Sequence, residues 1–335
     1  MGENLMGLTR VLTIAMAVAW SPVVISEEPR REDILERMSR VMGKLPSRDE
    51  IVPLDVRIES ETRQVHYTRI KLSFAVEKDD RVPAWLLLPH GTGKRPAVLC
   101  LHQTTSIGKD EPVGLGGNSN LAYAHELAER GYITIAPDYP SFGEYRYDFG
   151  RSRWASGSLK AVWNNMRAID LLQERPEVEP SRIGAIGHSL GGHTAMFTAA
   201  FDDRIRATVS NCGFTSFAKY YGGNLKGWSS DRYMPRIASD FGLDPKRMPF
   251  DFTDVVLAMA PRAFLACAPV RDDNFEVSGV KDVIAATKPY FERRGVADHL
   301  QAMYPDCGHE WPKDVRAKAY AFLDQHLRHQ SQRPR

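Results

Sequence analysis

Near the middle of the chain, Gly187-His188-Ser189-Leu190-Gly191 sets a serine between two glycines in the pattern G-x-S-x-G. A serine hydroxyl is a poor nucleophile unless the backbone presents it and a neighbouring base takes its proton. The flanking residues meet the first condition. Arg182-Ile183-Gly184-Ala185-Ile186 reads as a short apolar strand, and Gly192-His193-Thr194-Ala195-Met196-Phe197-Thr198-Ala199-Ala200 as a buried helix of small residues. Strand, sharp turn and helix is the setting of a nucleophile elbow, with the serine at its apex and the hydroxyl aimed out of the sheet. Glycines let a crowded turn form without Cβ clashes. An ordinary Gly-rich strand–helix turn would carry the same letters, and the strand and helix around them favour the chemical reading.

On such an elbow the partners follow in chain order, first an Asp or Glu and then a His, each on a loop after a later strand. Four histidines come late enough: His299, His309, His326 and His329. His326 and His329 sit in a polar C-terminal stretch and read as solvated. His299 precedes the strand-like Leu300-Gln301-Ala302-Met303-Tyr304, at the wrong end for catalysis, whereas His309 follows it in Pro305-Asp306-Cys307-Gly308-His309. His309 is the expected base. The apolar run Arg262-Ala263-Phe264-Leu265-Ala266-Cys267-Ala268 opens into Pro269-Val270-Arg271-Asp272-Asp273, so two adjacent carboxylates compete to hold the imidazole. One would fix its tautomer and stabilise the imidazolium, and the other would be a turn-forming Asp in a polar loop.

Acyl transfer also needs donors aimed at the developing oxyanion. The backbone N–H of the residue after the nucleophile, Leu190, is one. A second should come from the loop after an early central strand, and Pro96-Ala97-Val98-Leu99-Cys100-Leu101 is followed by His102-Gln103-Thr104-Thr105. His102 reads as a brace for that loop rather than a second base.

The elements that must position these groups alternate along the chain. Residues 53–88 carry strand-like runs suited to an antiparallel edge, after which strands and helices alternate, the pattern of a mostly parallel sheet covered on both faces. Residues 27–50, with the amphipathic Arg31–Met42, predict an N-terminal helix packed on the body. Two stretches interrupt the alternation and are expected to shape the substrate pocket. Residues 105–118 are Gly-rich and polar. Residues 214–254, an insertion before the acid-bearing strand, hold Phe217, Tyr220, Tyr221, Trp228 and Tyr233 beside Arg232 and Arg236. Aromatics among polar groups suit a ligand site, and they suit core packing equally well. Trp228 and Tyr233 are the candidate substrate contacts there.

Several segments together resemble a known group, the serine α/β-hydrolases of the dienelactone-hydrolase, acetyl-xylan-esterase and prolyl-oligopeptidase-like type. Leu127-Ala128-Glu129-Arg130-Gly131-Tyr132 leading to Ala136-Pro137-Asp138-Tyr139-Pro140 is similar to its "ELAERGY…APDYPxFG" segment. Pro176-Glu177-Val178-Glu179-Pro180-Ser181-Arg182-Ile183-Gly184 resembles its lead-in to the elbow, and Ala260-Pro261-Arg262 the opening of its penultimate strand. The likeness covers residues 83–327 and implies an α/β-hydrolase fold. Phe275-Glu276-Val277-Ser278-Gly279-Val280 is similar to the stretch after the group's "KDPIF", whose Asp is the triad acid, and that register implies Asp272. The usual His-Gly-x of the oxyanion loop implies Thr104 as the second donor. Gln103 stands where the Gly is expected, which leaves it as a further candidate contact. Dienelactone hydrolases use a cysteine nucleophile; Ser189 in its place points to ester hydrolysis.

Arg10 precedes the apolar run Val11-Leu12-Thr13-Ile14-Ala15-Met16-Ala17-Val18-Ala19-Trp20, of signal-peptide length and too short to span a bilayer securely. Val24 and Ser26 are small residues suited to cleavage, so residues 1–26 are expected to be a leader and residues 27–335 a single catalytic domain outside the cytoplasm, secreted or periplasmic. An uncleaved anchor is the alternative. The formal charge of +2 with no basic block argues against nucleic acid as a partner, and nothing recommends a membrane substrate. Four cysteines in 335 residues are no disulfide framework; Cys212 and Cys307 both follow strands on the catalytic side and could approach each other. No Cys/His cluster has zinc-ligand spacing, so no metal and no cofactor is expected.

The expected protein is an exported serine carboxylic-ester hydrolase acting on a small-molecule or carbohydrate ester, an acetyl or related ester above all, through an acyl-enzyme on Ser189. A prolyl-oligopeptidase-like peptidase shares the layout, but the chain lacks room for a gating β-propeller. A silent binding member of the fold would be missing a triad residue, and all three are present. Sequence does not set the oligomeric state.

Overall fold

The computed structural model describes residues 28–330 together with Met1, so the leader reading falls almost wholly outside the described residues. Nine strands form one sheet: β1 (Arg57–Arg63), β2 (Tyr67–Glu77), β3 (Asp80–Pro89), β4 (Arg95–Leu101), β5 (Ile133–Pro137), β6 (Val178–His188), β7 (Ile205–Asn211), β8 (Ala263–Cys267) and β9 (Leu300–Met303). Their spatial order is β1-β2-β3-β5-β4-β6-β7-β8-β9. The first three strands pair antiparallel and β3 joins β5 antiparallel. From β5 to β9 every pairing is parallel. β1 is exposed along its length and carries Arg57, Glu59, Glu61 and Arg63, charges that keep an edge strand from recruiting another chain.

Among the described residues eight α-helices accompany the sheet: α1 (Arg31–Met42), α2 (Tyr123–Glu129), α3 (Gly157–Glu174), α4 (Leu190–Phe201), α5 (Arg236–Ser239), α6 (Phe252–Met259), α7 (Val277–Arg293) and α8 (Lys313–His326). Side chains alternate across each strand, and both faces are apolar because both are covered. Ala97, Leu99 and Leu101 of β4 join the core that packs α1, α3, α4, α6 and α7. Val98 and Cys100 face the opposite core, against α2 and α8. Such two-sided burial suits parallel sheets, and it makes this an α/β-hydrolase fold.

Local chemistry sets the helix ends. α1 buries Ile34, Met38, Val41 and Met42. Its last turn is tied to α3 because Ser156 Oγ, which caps α3 by accepting from Leu159 N, donates to the Met42 carbonyl. Asp251 and Asp254 form a capping box at the start of α6, and Asp254 also meets Arg37 of α1.

Residues 214–251 form short turns and the single-turn α5 rather than a strand or long helix. Phe217, Phe250 and Phe252 interlock there with ring centroids 5.5 and 5.6 Å apart. Two expectations are corrected. Residues 105–118 do not line the cavity beside the serine; their middle, residues 108–113, turns inward, while Gly114, Leu115, Gly117 and Asn118 are exposed. Lys109 is fully buried, its Nζ 3.2 Å from Glu144, 3.3 Å from Asp110 and 3.5 Å from Asp138. A buried ammonium must be paired, and these carboxylates draw the loop into the body. His326 and His329 are half-buried rather than solvated. The His326 ring packs 4.4 Å from Phe322, and His329 4.3 Å from Tyr132.

Candidate active site

The parallel strands all end on one side of the sheet, and the candidate residues sit on the loops that leave those ends. Ser189 separates β6 from α4 with φ 55° and ψ −119°, a conformation that costs a non-glycine residue about 1–3 kcal/mol and persists only where surroundings impose it. They do so here. A Cβ on Gly187 would lie 2.2 Å from the Gly191 backbone, and one on Gly191 would lie 1.8 Å from the Leu101 carbonyl oxygen. Ser189 N donates to the Asn211 carbonyl at 2.9 Å, fastening the apex to the end of β7.

His309 lies beyond β9. Its Nδ1 is 2.9 Å from Asp272 Oδ1 and 3.0 Å from Oδ2. A carboxylate only accepts, so Nδ1 carries the proton and Nε2 has the free lone pair. Asp272 lies after β8, and its Oδ1 also accepts from Asn274 N at 2.9 Å and Phe275 N at 3.0 Å. Burial pushes the Asp272 carboxyl upward, but the hydrogen bond from His309, the pull of that ring whenever it is protonated and these two amides outweigh it and hold it below the usual carboxylate range. The neighbouring Asp273 points to solvent. The Ser189 hydroxyl is not hydrogen-bonded to His309 here; catalytic hydrogen bonds commonly tighten only once substrate is bound.

Leu190 is the first residue of α4, where backbone N–H groups have no partner within the helix and the helix dipole favours negative charge. Thr104 is exposed at the end of the β4 loop, and its Oγ1 is 3.1 Å from the Tyr233 hydroxyl. His102 braces this loop: its Nδ1 donates to the Gln103 carbonyl at 2.6 Å and its Nε2 accepts from Tyr139 N at 3.3 Å. Burial lowers His102 to about 4, keeping it neutral. Gln103 does not line the serine's cavity, and its side-chain oxygen is buried without a partner.

A cavity of about 60 Å³ adjoins the serine, lined by Ser189, Leu190, Thr104, His193, Tyr220, Gly227, Trp228, Tyr233, Asn274 and Phe275. Trp228 is thus both a core residue, 3% exposed among Phe217, Tyr220 and Phe252, and a wall of the site. A far larger groove of about 1050 Å³ runs beside α1, but none of Ser189, Asp272 and His309 lines it. Chemistry, not volume, locates the candidate site in the smaller space.

Asn211 escaped the sequence reading, which took Cys212 only as a possible partner for Cys307. Asn211 pairs with His188 in the β6–β7 register. Its amide donates to His188 Nδ1 at 2.8 Å and to the Glu310 carbonyl at 3.2 Å, joining the serine's strand to the histidine's loop. Cys212 follows with φ 48°, its N–H donating to the Cys267 carbonyl at 2.9 Å. Burial, then the charge of Asp272, push its thiol well above the ordinary range. Cys212 and Cys307 are both free. His188 and His193 are buried and neutral, lowered to about 3 by burial.

Known proteins share this layout. YtaP of Bacillus subtilis (strain 168) is 27% identical over 314 residues, 89% of this chain and 100% of that protein. A glucuronoyl esterase from Solibacter usitatus superposes with a TM-score of 0.69 at 18% identity, covering 89% of this chain and 92% of that one. Acetyl xylan esterase 1 from Thermoanaerobacterium sp. JW/SL YS485 superposes with a TM-score of 0.59 at 21% identity, covering 88% and 93%. The sequence pattern of the prolyl oligopeptidase family matches residues 119–330, most of the chain, from just before α2 through the elbow and the His309 loop to just past α8. The chain belongs to the prolyl oligopeptidase family, and it is a serine hydrolase of the α/β-hydrolase fold.

Proposed function

We propose that the protein is an exported carboxylic-ester hydrolase acting on a small ester of a carbohydrate, with an acetyl group as the favoured acyl part. Ser189 Oγ attacks the carbonyl carbon while His309 Nε2 takes the hydroxyl proton. Asp272 keeps the His309 proton on Nδ1 and stabilises the imidazolium. The N–H groups of Leu190 and Thr104 receive the oxyanion. Collapse expels the alkoxide, which takes its proton from His309, and water repeats the sequence on the acyl-enzyme.

The observation that carries this reading is the small cavity against the elbow serine. It is small, about 60 Å³, and is walled by the rings of Tyr220, Trp228, Tyr233 and Phe275, which favours a short acyl group such as acetyl over a bulkier one. The structural relatives named for acetyl xylan and glucuronoyl esters support the same substrate class. Export rests on the apolar run at residues 11–20. The test is a panel of acetylated sugars, glucuronoyl and feruloyl esters and prolyl amides. Acetylated sugars are expected to turn over fastest, and cleavage confined to prolyl amides would refute the ester reading.

A further inference from the structure

Cys212 takes no part in the mechanism above, yet it stands against the groups that do. The ligating atoms of Cys212, Asp272 and His309 all lie within 4.8 Å of one another. They come from three loops, after β7, β8 and β9, so their spacing along the chain has no resemblance to a metal motif. We infer that this trio is an inhibitory site for a thiophilic divalent cation such as Zn²⁺ or Cd²⁺, held by Cys212 Sγ, an Asp272 carboxylate oxygen and His309 Nδ1. This rests on the assignment of His309 as the base.

The donor set is suited to such an ion. Thiolate, imidazole and carboxylate are the usual zinc ligands, with Zn–S about 2.3 Å and Zn–N about 2.0 Å, which puts tetrahedral ligand atoms about 3.3–3.6 Å apart. The imidazole and carboxylate need to open slightly from 2.9 Å, and the sulfur needs to close by no more than about 1.5 Å to reach that spacing. Thiolate and carboxylate together neutralise a divalent charge. Supporting contacts are in place, as they are around established metal sites. Asp272 Oδ1 is held by Asn274 N and Phe275 N, leaving Oδ2 for the ion. Asn211 Nδ2 donates to Cys212 Sγ at 3.2 Å, a bond that strengthens when the sulfur is charged. Cys212 and the Asp272 side chain are buried, but the His309 side chain is 24% exposed and provides the way in.

Binding would disable the base by simple proton accounting. The Cys212 thiol releases one proton to solvent as sulfur bonds the metal. The metal takes the Nδ1 lone pair of neutral His309, so the ring's single proton moves to Nε2. No lone pair then faces Ser189, and the serine proton has no acceptor. Removing the cation reverses each step.

The test titrates Cd²⁺ or Zn²⁺ into chelator-treated protein, following hydrolysis of a chromogenic acetate and, for Cd²⁺, the ultraviolet thiolate-to-metal absorption. Cys212→Ala, Cys212→Ser and Cys307→Ala are each compared with their own metal-free rate. We expect reversible inhibition and one thiolate-bound Cd²⁺ per chain in the wild type and in Cys307→Ala. In both Cys212 variants the absorption should vanish and the half-inhibiting concentration rise by at least about tenfold. Equal sensitivity of the Cys212 variants, an absorption that depends on Cys307, or an uninhibited wild type would overturn the inference. A protein that binds Cd²⁺ through Cys212 but hydrolyses no ester would overturn the proposed function and leave the metal site standing.

Discussion

Gly191, at the start of α4, lies so close to Leu101, at the end of β4, that a Cβ on the glycine would be 1.8 Å from the leucine's carbonyl oxygen. The same oxygen accepts the Tyr123 hydroxyl at 2.5 Å. The strand that ends in the Thr104 loop and the elbow that carries Ser189 are therefore one rigid unit. The spacing between the two N–H groups assigned to the oxyanion is a property of this contact, not of either loop alone.

Gly191→Ala tests that coupling. Backbone meets backbone here, so no side chain can give way, and overpacking costs typically 1–3 kcal/mol. The variant should melt lower and, at temperatures where it is folded, turn over esters more slowly with little change in KM. A fully active, equally stable variant would show that the two segments move independently.

Ser189→Ala should leave the fold intact and lower ester turnover by several orders of magnitude, as removal of a triad member does. A serine-directed phosphonate should label the wild type once, at Ser189. Peptide mapping checks the site.

Asp272→Asn should cost on the order of 10⁴ in kcat, because an amide favours the wrong imidazole tautomer. Asp273→Asn, altered at a solvent-facing position, should be near neutral. Reversed losses would place the acid one residue later despite the 2.9 Å contact between Asp272 and His309.

Trp228 and Tyr233 share the cavity but should respond differently. Trp228→Ala removes a buried ring and should cost about 3–5 kcal/mol of stability while also widening the acyl space, so longer acyl chains gain relative to acetate. Tyr233→Phe removes only the hydroxyl that meets Thr104 Oγ1 at 3.1 Å. A hydrogen bond is worth about 0.5–1.5 kcal/mol. The expected result is a twofold to tenfold fall in kcat/KM with an unchanged melting curve, since about 1.4 kcal/mol is tenfold in rate. Steady-state kinetics with acetate and butyrate esters, beside calorimetry, separates the two.

His193 is buried and lowered to about 3, chiefly by burial, against an unfolded value near 6.5. The unfolded chain binds its proton first, so its contribution is fully present above pH 6.5 and is lost as pH falls toward 3. His193→Asn keeps a donor for the Gly213 carbonyl and removes the titration. The stability advantage of wild type over this variant should shrink by about 1.4 kcal/mol per pH unit between pH 6 and 4. Asp138 and Asp251, raised to about 6 mainly by burial, act in the opposite sense over that range. The difference between the two proteins, not the wild-type curve alone, is the quantity to measure by denaturant titration.

The reach of the sequence here followed the range of the forces involved. The elbow turn, the alternation of strands and helices and the amphipathic helix from Arg31 to Met42 rest on neighbours a few residues apart. Local patterns of size and polarity were enough to read them, and the same patterns singled out His309, which the structure sets against Asp272. The two aspartates could be ranked only by resemblance. The backbone path of the loop after β8 decides which of them turns inward, and the amides of Asn274 and Phe275 complete that choice. Residues 105–118 look solvated as a string, and the carboxylates of Asp138 and Glu144, brought by distant segments, join the neighbouring Asp110 to make burial of Lys109 possible. Asn211 carries no signal at all, and Cys212 only its place after a strand, until parallel register sets β7 beside β6 and β8. Sequence determined which chemistry the chain could carry. Tertiary structure decided which groups share it, because strand register and buried charge depend on partners that no local window contains.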